Sequence, residues 1–159
     1  MSLPTTYPDC LTRLYGVEGG YTIDKGGPTR WGVTEVVARA HGYTGDMRDY
    51  PLEDASRVYK PEYWDAIRAD ELPELIRYAA FDVAVNSGDE EAVKLLQRAV
   101  GALDDGHLGP ATMAAIAAAN PETTLRRLCG YRELLMTSLS NWDEDGKGWI
   151  RRVAAILVA

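Results

Sequence analysis

The chain has 159 residues, 46% of them hydrophobic, and a formal net charge of −7. That length suits one compact domain with a sizeable core. The acidic balance argues against a general nucleic-acid binder, which needs a basic patch. It also disfavours long-range attraction to anionic polymers, although a cleft can differ in sign from the whole surface. No apolar run nears the roughly 20 residues that span a bilayer, so stable membrane insertion is not expected. The opening Met1-Ser2-Leu3-Pro4-Thr5-Thr6 has neither a basic region nor an apolar stretch and does not read as a secretory signal. Cys10 and Cys129 stand far apart and outside any C-x-x-C pair. With only His41 and His107 beside them, a metal site is not expected. Two buried free thiols are the plainer reading, with a disulfide as the alternative.

The first element predicted is a helix from about Tyr7 to Glu18, with Thr6 as its cap, Pro8 in the first turn and Gly19-Gly20 at its end. The segment 21–33 alternates and carries Lys25-Gly26-Gly27-Pro28 in its middle, which predicts a small hairpin or structured loop. Thr34 then caps a helix over 35–41. A helical region over 52–69 breaks or restarts near Pro61. A strong helix over 73–87 carries Leu75, Ile76, Ala79, Ala80 and Val83 at helical spacing. Ser87-Gly88-Asp89-Glu90 has capping-box spacing and starts a helix that Gly101 stops. Pro110 opens another, and Asn120-Pro121 separates it from one reaching about Leu139, with Leu125, Leu128, Leu135 and Leu139 on one stripe. A short helix over 149–158 closes the chain. The fold class is α+β, mostly helical.

Glu18 is the residue with the most chemical content. Residues seven apart on a helix return to nearly the same direction, so Leu11, Leu14 and Glu18 share a stripe. Burial and the negative end of the helix dipole both disfavour a charged carboxylate there. A carboxyl that keeps its proton is what a general acid needs. A Glu that pairs with an arginine in the core is the competing account. Asp24 and Thr29 follow in the hairpin, where a fold-back brings them near Glu18. Inverting glycoside hydrolysis needs a positioned water opposite the acid, and both are reasonable holders for it. Ordinary turn and strand preferences also explain them.

Other candidates divide in the same way. Tyr21 offers a ring and a hydroxyl to a sugar, or packs in the core. Asn86, on the stripe of Leu75, Ala79 and Asp82, bonds a sugar N-acetyl group or stitches two helices. Trp31, Trp64, Trp142 and Trp149 could line a saccharide groove, with core packing favoured for Trp64 and Trp149. Asp104-Asp105-Gly106, followed by an exposed His107, lacks calcium-loop spacing and reads as a turn. Arg126, Arg127, Arg151 and Arg152 suggest a local basic surface.

Glu18-Gly19-Gly20-Tyr21, Asp24, Gly26-Gly27, Thr29 and Trp31-Gly32-Val33-Thr34 resemble the signature of phage-type lysozymes of glycoside hydrolase family 108, also labelled secretion activators. Tyr63-Trp64, Leu72-Pro73, Phe81-Asp82, Ala84-Val85-Asn86-Ser87-Gly88, Leu96-Gln97-Arg98-Ala99 and Gly101 resemble its middle. Asp105-Gly106, Leu108-Gly109-Pro110, Thr112, Gly148-Trp149 and Arg151-Arg152-Val153 resemble its C-terminal half, often labelled a peptidoglycan-binding region. The resemblance covers roughly Leu14 to Val153. It implies a lysozyme-like fold, with residues about 7–88 as the catalytic part of a single 1–159 domain and about 89–158 as that helical region. It implies a cofactor-free lysozyme that cleaves the β-1,4 bond between N-acetylmuramic acid and N-acetylglucosamine. Glu18 is then the acid, with Asp24 and Thr29 assisting and Tyr21, Trp31 and Asn86 binding substrate. Together with the N-terminus, it implies a monomeric endolysin made in the cytoplasm and released to the cell wall through a holin. The alternatives are a lytic transglycosylase, a non-catalytic wall-binding or secretion-assisting protein, and a delivered toxin with the same chemistry.

Overall fold

The computed structural model describes the whole chain except Met1, Gly19 and Lys25 and the side chains of Val17, Glu18 and Asp24. Helix α1 (Tyr7–Glu18) leads into a three-stranded antiparallel sheet of β1 (Tyr21–Asp24), β2 (Gly27–Arg30) and β3 (Val33–Thr34). Then follow α2 (Glu35–Ala40), a 3-10 turn at Met47–Asp49, α3 (Leu52–Tyr59), a π-helical stretch at Lys60–Asp65 and a 3-10 turn at Ala69–Glu71. Five helices complete the chain: α4 (Glu74–Ser87), α5 (Asp89–Val100), α6 (Pro110–Ala118), α7 (Pro121–Thr137) and α8 (Trp142–Leu157). The fold is α+β and mostly helical, of the lysozyme-like kind, with its β structure confined to the segment after α1.

Local chemistry accounts for most boundaries. The Thr6 hydroxyl accepts the Asp9 amide at 3.4 Å and donates to the Asp9 carboxylate at 2.7 Å, closing the first turn of α1. Thr34 accepts from the Val37 amide, and Asn120 from the Thr123 amide ahead of Pro121 at the first position of α7. Gly101 ends α5 in the left-handed region at φ 74°.

α4 is the hub. Its residues 78–84 are all buried, so it is covered on every side, chiefly by α5 and α7. Leu14 of α1, Trp64, Ile76, Leu96, Leu128 and Val153 join one continuous core. Tyr7, Trp64 and Phe81 meet edge to face or tilted, with centroids 5.3–6.0 Å apart. Asp82, fully buried in the middle of α4, receives Arg132 of α7 at 2.5 Å and Arg152 of α8 at 2.6 Å. One carboxylate therefore ties three helices. Cys10 and Cys129 are free and buried, and burial pushes their thiols up to about 12 and about 11.

Several expectations need correction. Helix α5 is not opened by a Ser87 capping box. Ser87 is still the last residue of α4, and Gly88 (φ 91°) caps α5 without a side-chain bond. The break near Pro61 is a π-helical turn, which absorbs the proline's missing donor without ending the helical path. Leu139 lies beyond α7 and is exposed. The buried stripe runs instead through Leu125, Leu128, Arg132 and Met136. The last helix starts at Trp142, not Trp149. Gly146 and Gly148 argue against a helix on propensity, yet a Cβ at Gly146 would lie 2.8 Å from the Trp142 ring. The glycine makes room for the indole, and packing overrides propensity. Arg152 belongs to the Asp82 cluster, not to a basic surface.

Asp82→Asn should cost about 3–5 kcal/mol, because it leaves two buried guanidiniums facing a neutral amide. Urea unfolding of both proteins checks this. A loss below about 1 kcal/mol would show that the cluster is not a structural constraint.

Candidate active site

The site is built where α1 meets the sheet. Glu18 is the last residue of α1, and its side chain lies outside the described residues. One turn earlier, Tyr15 is buried, and burial raises its phenol well above the usual range. Its ring packs on Trp31 at 5.4 Å and on Tyr59 of α3 at 5.6 Å, and Tyr59 continues to Tyr63 in the π-helical turn at 5.4 Å. These four rings join α1, the β2–β3 turn and the α3 region into one aromatic wall.

Trp31 is held in a strained state. Strand pairing matches Arg30 with Val33, so Trp31 and Gly32 form a two-residue loop with φ of 53° and 72°. Positive φ at both positions is the hairpin geometry that suits Asn and Gly. For a bulky L-residue it costs about 1–2 kcal/mol. Three contacts over-determine it. The indole Nε1 donates to the Tyr50 carbonyl at 3.1 Å, the Trp31 carbonyl accepts the Tyr59 hydroxyl at 3.1 Å, and Tyr15 packs against the ring. Strain maintained in this way marks functional sites.

Register fixes the remaining positions. β1 and β2 pair Tyr21 with Arg30, Thr22 with Thr29 and Asp24 with Gly27. Asp24 therefore sits two positions along the ladder from Thr29, and its side chain lies outside the described residues. Thr29 is 9% exposed, and its hydroxyl donates to the Gly27 carbonyl at 3.2 Å. Its proton is thus committed, and its lone pairs remain to accept from a water. Tyr21 is half-buried, with the Arg48 guanidinium 5.9 Å from its ring centre, and it lines a groove of about 290 Å³ with Pro28, Glu35 and Met47.

Asn86 differs from expectation. It is exposed near the end of α4, and its Nδ2 donates to the Asp82 carbonyl at 2.6 Å within its own helix. It does not stitch two helices. Trp64 is fully buried in the core. Trp142 and Trp149 pack on each other at 6.3 Å, half-buried. Asp105 accepts the His107 amide and the Gln97 side chain, a turn fastened to α5, with His107 exposed. Among the described residues no group of three or more His, Cys, Asp or Glu could hold a metal ion.

The segment that carries this geometry is also the one that matches a family. Residues 11–88 match the family model described as glycosyl hydrolase 108. Over that segment the chain resembles glycosyl hydrolase family 108. The structure of Brucella abortus SagA superimposes with a TM-score of 0.83 at 29% identity, covering 96% of this chain and 91% of that one. No curated protein matches the chain in a sequence search. The matching segment runs from α1 to the end of α4, so it contains the aromatic wall and Asp82 but not the partners Arg132 and Arg152.

Sequence reasoning missed Tyr15, Arg30 and Tyr59 as parts of this site. Tyr15 carried a signal, since it precedes Glu18 by one helical turn. Tyr59 carried none, because its role depends on where α3 docks.

Gly32 tests the wall. A Cβ there would lie 2.2 Å from the Tyr59 hydroxyl but 3.5 Å from the next ring carbon. Gly32→Ala should therefore destabilise the wild type by clearly more than it destabilises Tyr59→Phe, where only the backbone cost of about 1–2 kcal/mol remains. A double-mutant cycle by urea unfolding measures the coupling. Equal costs in both backgrounds would contradict this account of the turn.

Proposed function

We propose that this glycosyl hydrolase is an N-acetylmuramidase that cleaves the β-1,4 bond between N-acetylmuramic acid and N-acetylglucosamine in peptidoglycan. The observation that carries the reading is the position of Glu18. It closes the helix that enters the sheet, one turn after Tyr15, inside the segment matching glycosyl hydrolase 108. A carboxyl at a helix C-terminus is biased toward its protonated form by the dipole.

In the proposed reaction Glu18 delivers its proton to the glycosidic oxygen as the C1–O bond breaks. A water attacks C1 and loses a proton to the Asp24 carboxylate. Thr29, whose hydroxyl proton is already engaged, serves as an acceptor that orients that water. The developing oxocarbenium-like charge is stabilised by the same carboxylate. Tyr21 and Trp31 supply faces for the sugar rings, and the exposed Asn86 offers its amide oxygen to a sugar N–H. No metal or organic cofactor has a role in this scheme.

We further assign the chain as a phage or prophage endolysin, synthesised in the cytoplasm, released through a holin and acting on the wall as a monomer. Residues 89–158 then complete the enzyme's own core as well as meeting the polymer. Among the described residues no helix is long and apolar enough to cross a membrane.

Purified sacculi supply the test. Wild type should clear them and Glu18→Gln should lose at least about a hundredfold in rate, the usual scale for general acid catalysis, with unchanged circular dichroism. Fragment masses should show reducing muramic acid ends, whereas anhydro ends would make the enzyme a lytic transglycosylase. Clearing by Glu18→Gln would sink the assignment of the acid. Sacculi bound but not cleared by wild type would make the protein a wall-binding module.

A further inference from the structure

Most arginines among the described residues are engaged by neighbours, and the one beside the candidate site is not. Arg39, Arg57, Arg68, Arg98 and Arg132 meet carboxylates, and Arg13, Arg77 and Arg127 donate to backbone carbonyls. Arg30 does neither among the described residues. It is half-buried, its Nε is shielded from solvent, and that nitrogen has no hydrogen-bond partner. Its guanidinium carbon lies 5.3 Å from the centre of the Trp31 indole, the ring that holds it. An unmet buried donor costs about 1–3 kcal/mol, more when charged. A second buried orphan, the Tyr15 hydroxyl, belongs to the ring on which Trp31 packs. Two such donors therefore lie against the strained tryptophan, one on each ring or guanidinium that packs on it.

The placement of Arg30 is equally specific. In the β1–β2 ladder it lies directly opposite Tyr21, and in sequence it precedes Trp31. Cross-strand partners share one face of a sheet, with Cβ atoms about 5 Å apart. Arg30 therefore stands between the two aromatic residues assigned to the sugar rings. A saccharide on either ring brings its substituents within reach of a guanidinium, whose forked donors suit a carboxylate. In a chain of net charge −7, that cation also offers an acidic ligand a local attraction that the surface as a whole lacks.

We infer that Arg30 is a substrate-specificity residue that grips the carboxyl oxygens of the lactyl arm of muramic acid. The inference rests on the muramidase reading and names the group by which the site tells a muramic acid strand free of stem peptides, whose lactyl carboxyl is not tied up as an amide, from a plain N-acetylglucosamine polymer. A plain polymer offers hydroxyls and N-acetyl carbonyls but no carboxyl for the fork.

Soluble glycan strands stripped of stem peptides, which expose the lactyl carboxylate, provide the assay. Arg30→Gln should raise KM for these strands at least about tenfold, or about 1.4 kcal/mol, with kcat within about twofold of wild type. Arg30→Lys should fall between, keeping the charge but losing the fork. Chito-oligosaccharides of equal length should bind wild type and Arg30→Gln alike. Circular dichroism and urea unfolding should match wild type closely for both variants, showing that the fold is kept. Cleavage by wild type with an unchanged KM in Arg30→Gln would overturn the role of Arg30 and leave the muramidase reading standing. An effect seen only with peptide-bearing strands would overturn the lactyl assignment in favour of a stem-peptide carboxylate. No cleavage by wild type would remove the underlying reading. Strand affinity, read by tryptophan quenching, would then decide Arg30 separately, and equal affinities in wild type and Arg30→Gln would overturn it.

Discussion

One buried carboxylate sets the terms for much of this fold. Asp82 has no access to water, and two guanidiniums from helices far along the chain close on it. Such a cluster contributes little net stability compared with apolar residues of the same volume, because desolvation offsets most of the attraction. What it supplies is a constraint. Bidentate and charge-assisted contacts tolerate few geometries, so α7 and α8 are held in fixed register on α4. α4 in turn contacts α1 and the π-helical turn, the two elements whose ends face the candidate site. The C-terminal helices are therefore coupled through α4 to the elements that carry the site.

The aromatic wall is the second stage of the same construction. Tyr15, Trp31, Tyr59 and Tyr63 come from four elements and stack in one chain of contacts. Within it Trp31 occupies a left-handed position that an asparagine or glycine would take at no comparable cost. The neighbouring Gly32 is explained by space as well as by φ, since the Tyr59 hydroxyl fills the volume a side chain would need. Strain of 1–2 kcal/mol is small beside the burial of four aromatic rings, so the core can sustain it. The tryptophan face is thereby held rigidly next to the end of α1, and a rigid face loses little entropy when a ligand settles on it.

Much of the layout was legible from local chemistry. Thr6, Thr34, Asn120, Gly101 and Pro110 mark their boundaries because each satisfies or omits a specific backbone group. The hairpin after α1 was legible from glycine spacing. The misreadings share a cause, which is that long-range packing overrode local preference. Gly146 looked like a helix breaker and is in fact a slot for Trp142. Ser87 had the spacing of a cap, but a helix already occupied it. Asp82 stood in plain sight within a motif, yet nothing near it in sequence announced Arg132 and Arg152 as its partners. For the site, Trp31 and Tyr21 were legible as aromatic residues beside an acidic one, whereas Arg30 was not. An arginine in a strand is ordinary until the fold shows that, among the described residues, it meets a tryptophan ring but no carboxylate or carbonyl.

The distribution of charge follows from the same facts. Carboxylates outnumber cations in this protein, yet most arginines outside the sheet are neutralised by neighbours or engaged with the backbone. Pairing removes them from any field that a ligand would feel beyond a Debye length of about 8–10 Å. The effective electrostatics at the candidate site are then set by the few groups left uncompensated there, not by the net charge. An enzyme of this kind can be acidic overall and still present a cationic donor to an acidic polymer. That arrangement favours selective contact over general adhesion. A surface of many free cations would hold such a polymer everywhere, whereas a single fork between two aromatic rings would hold it in one register.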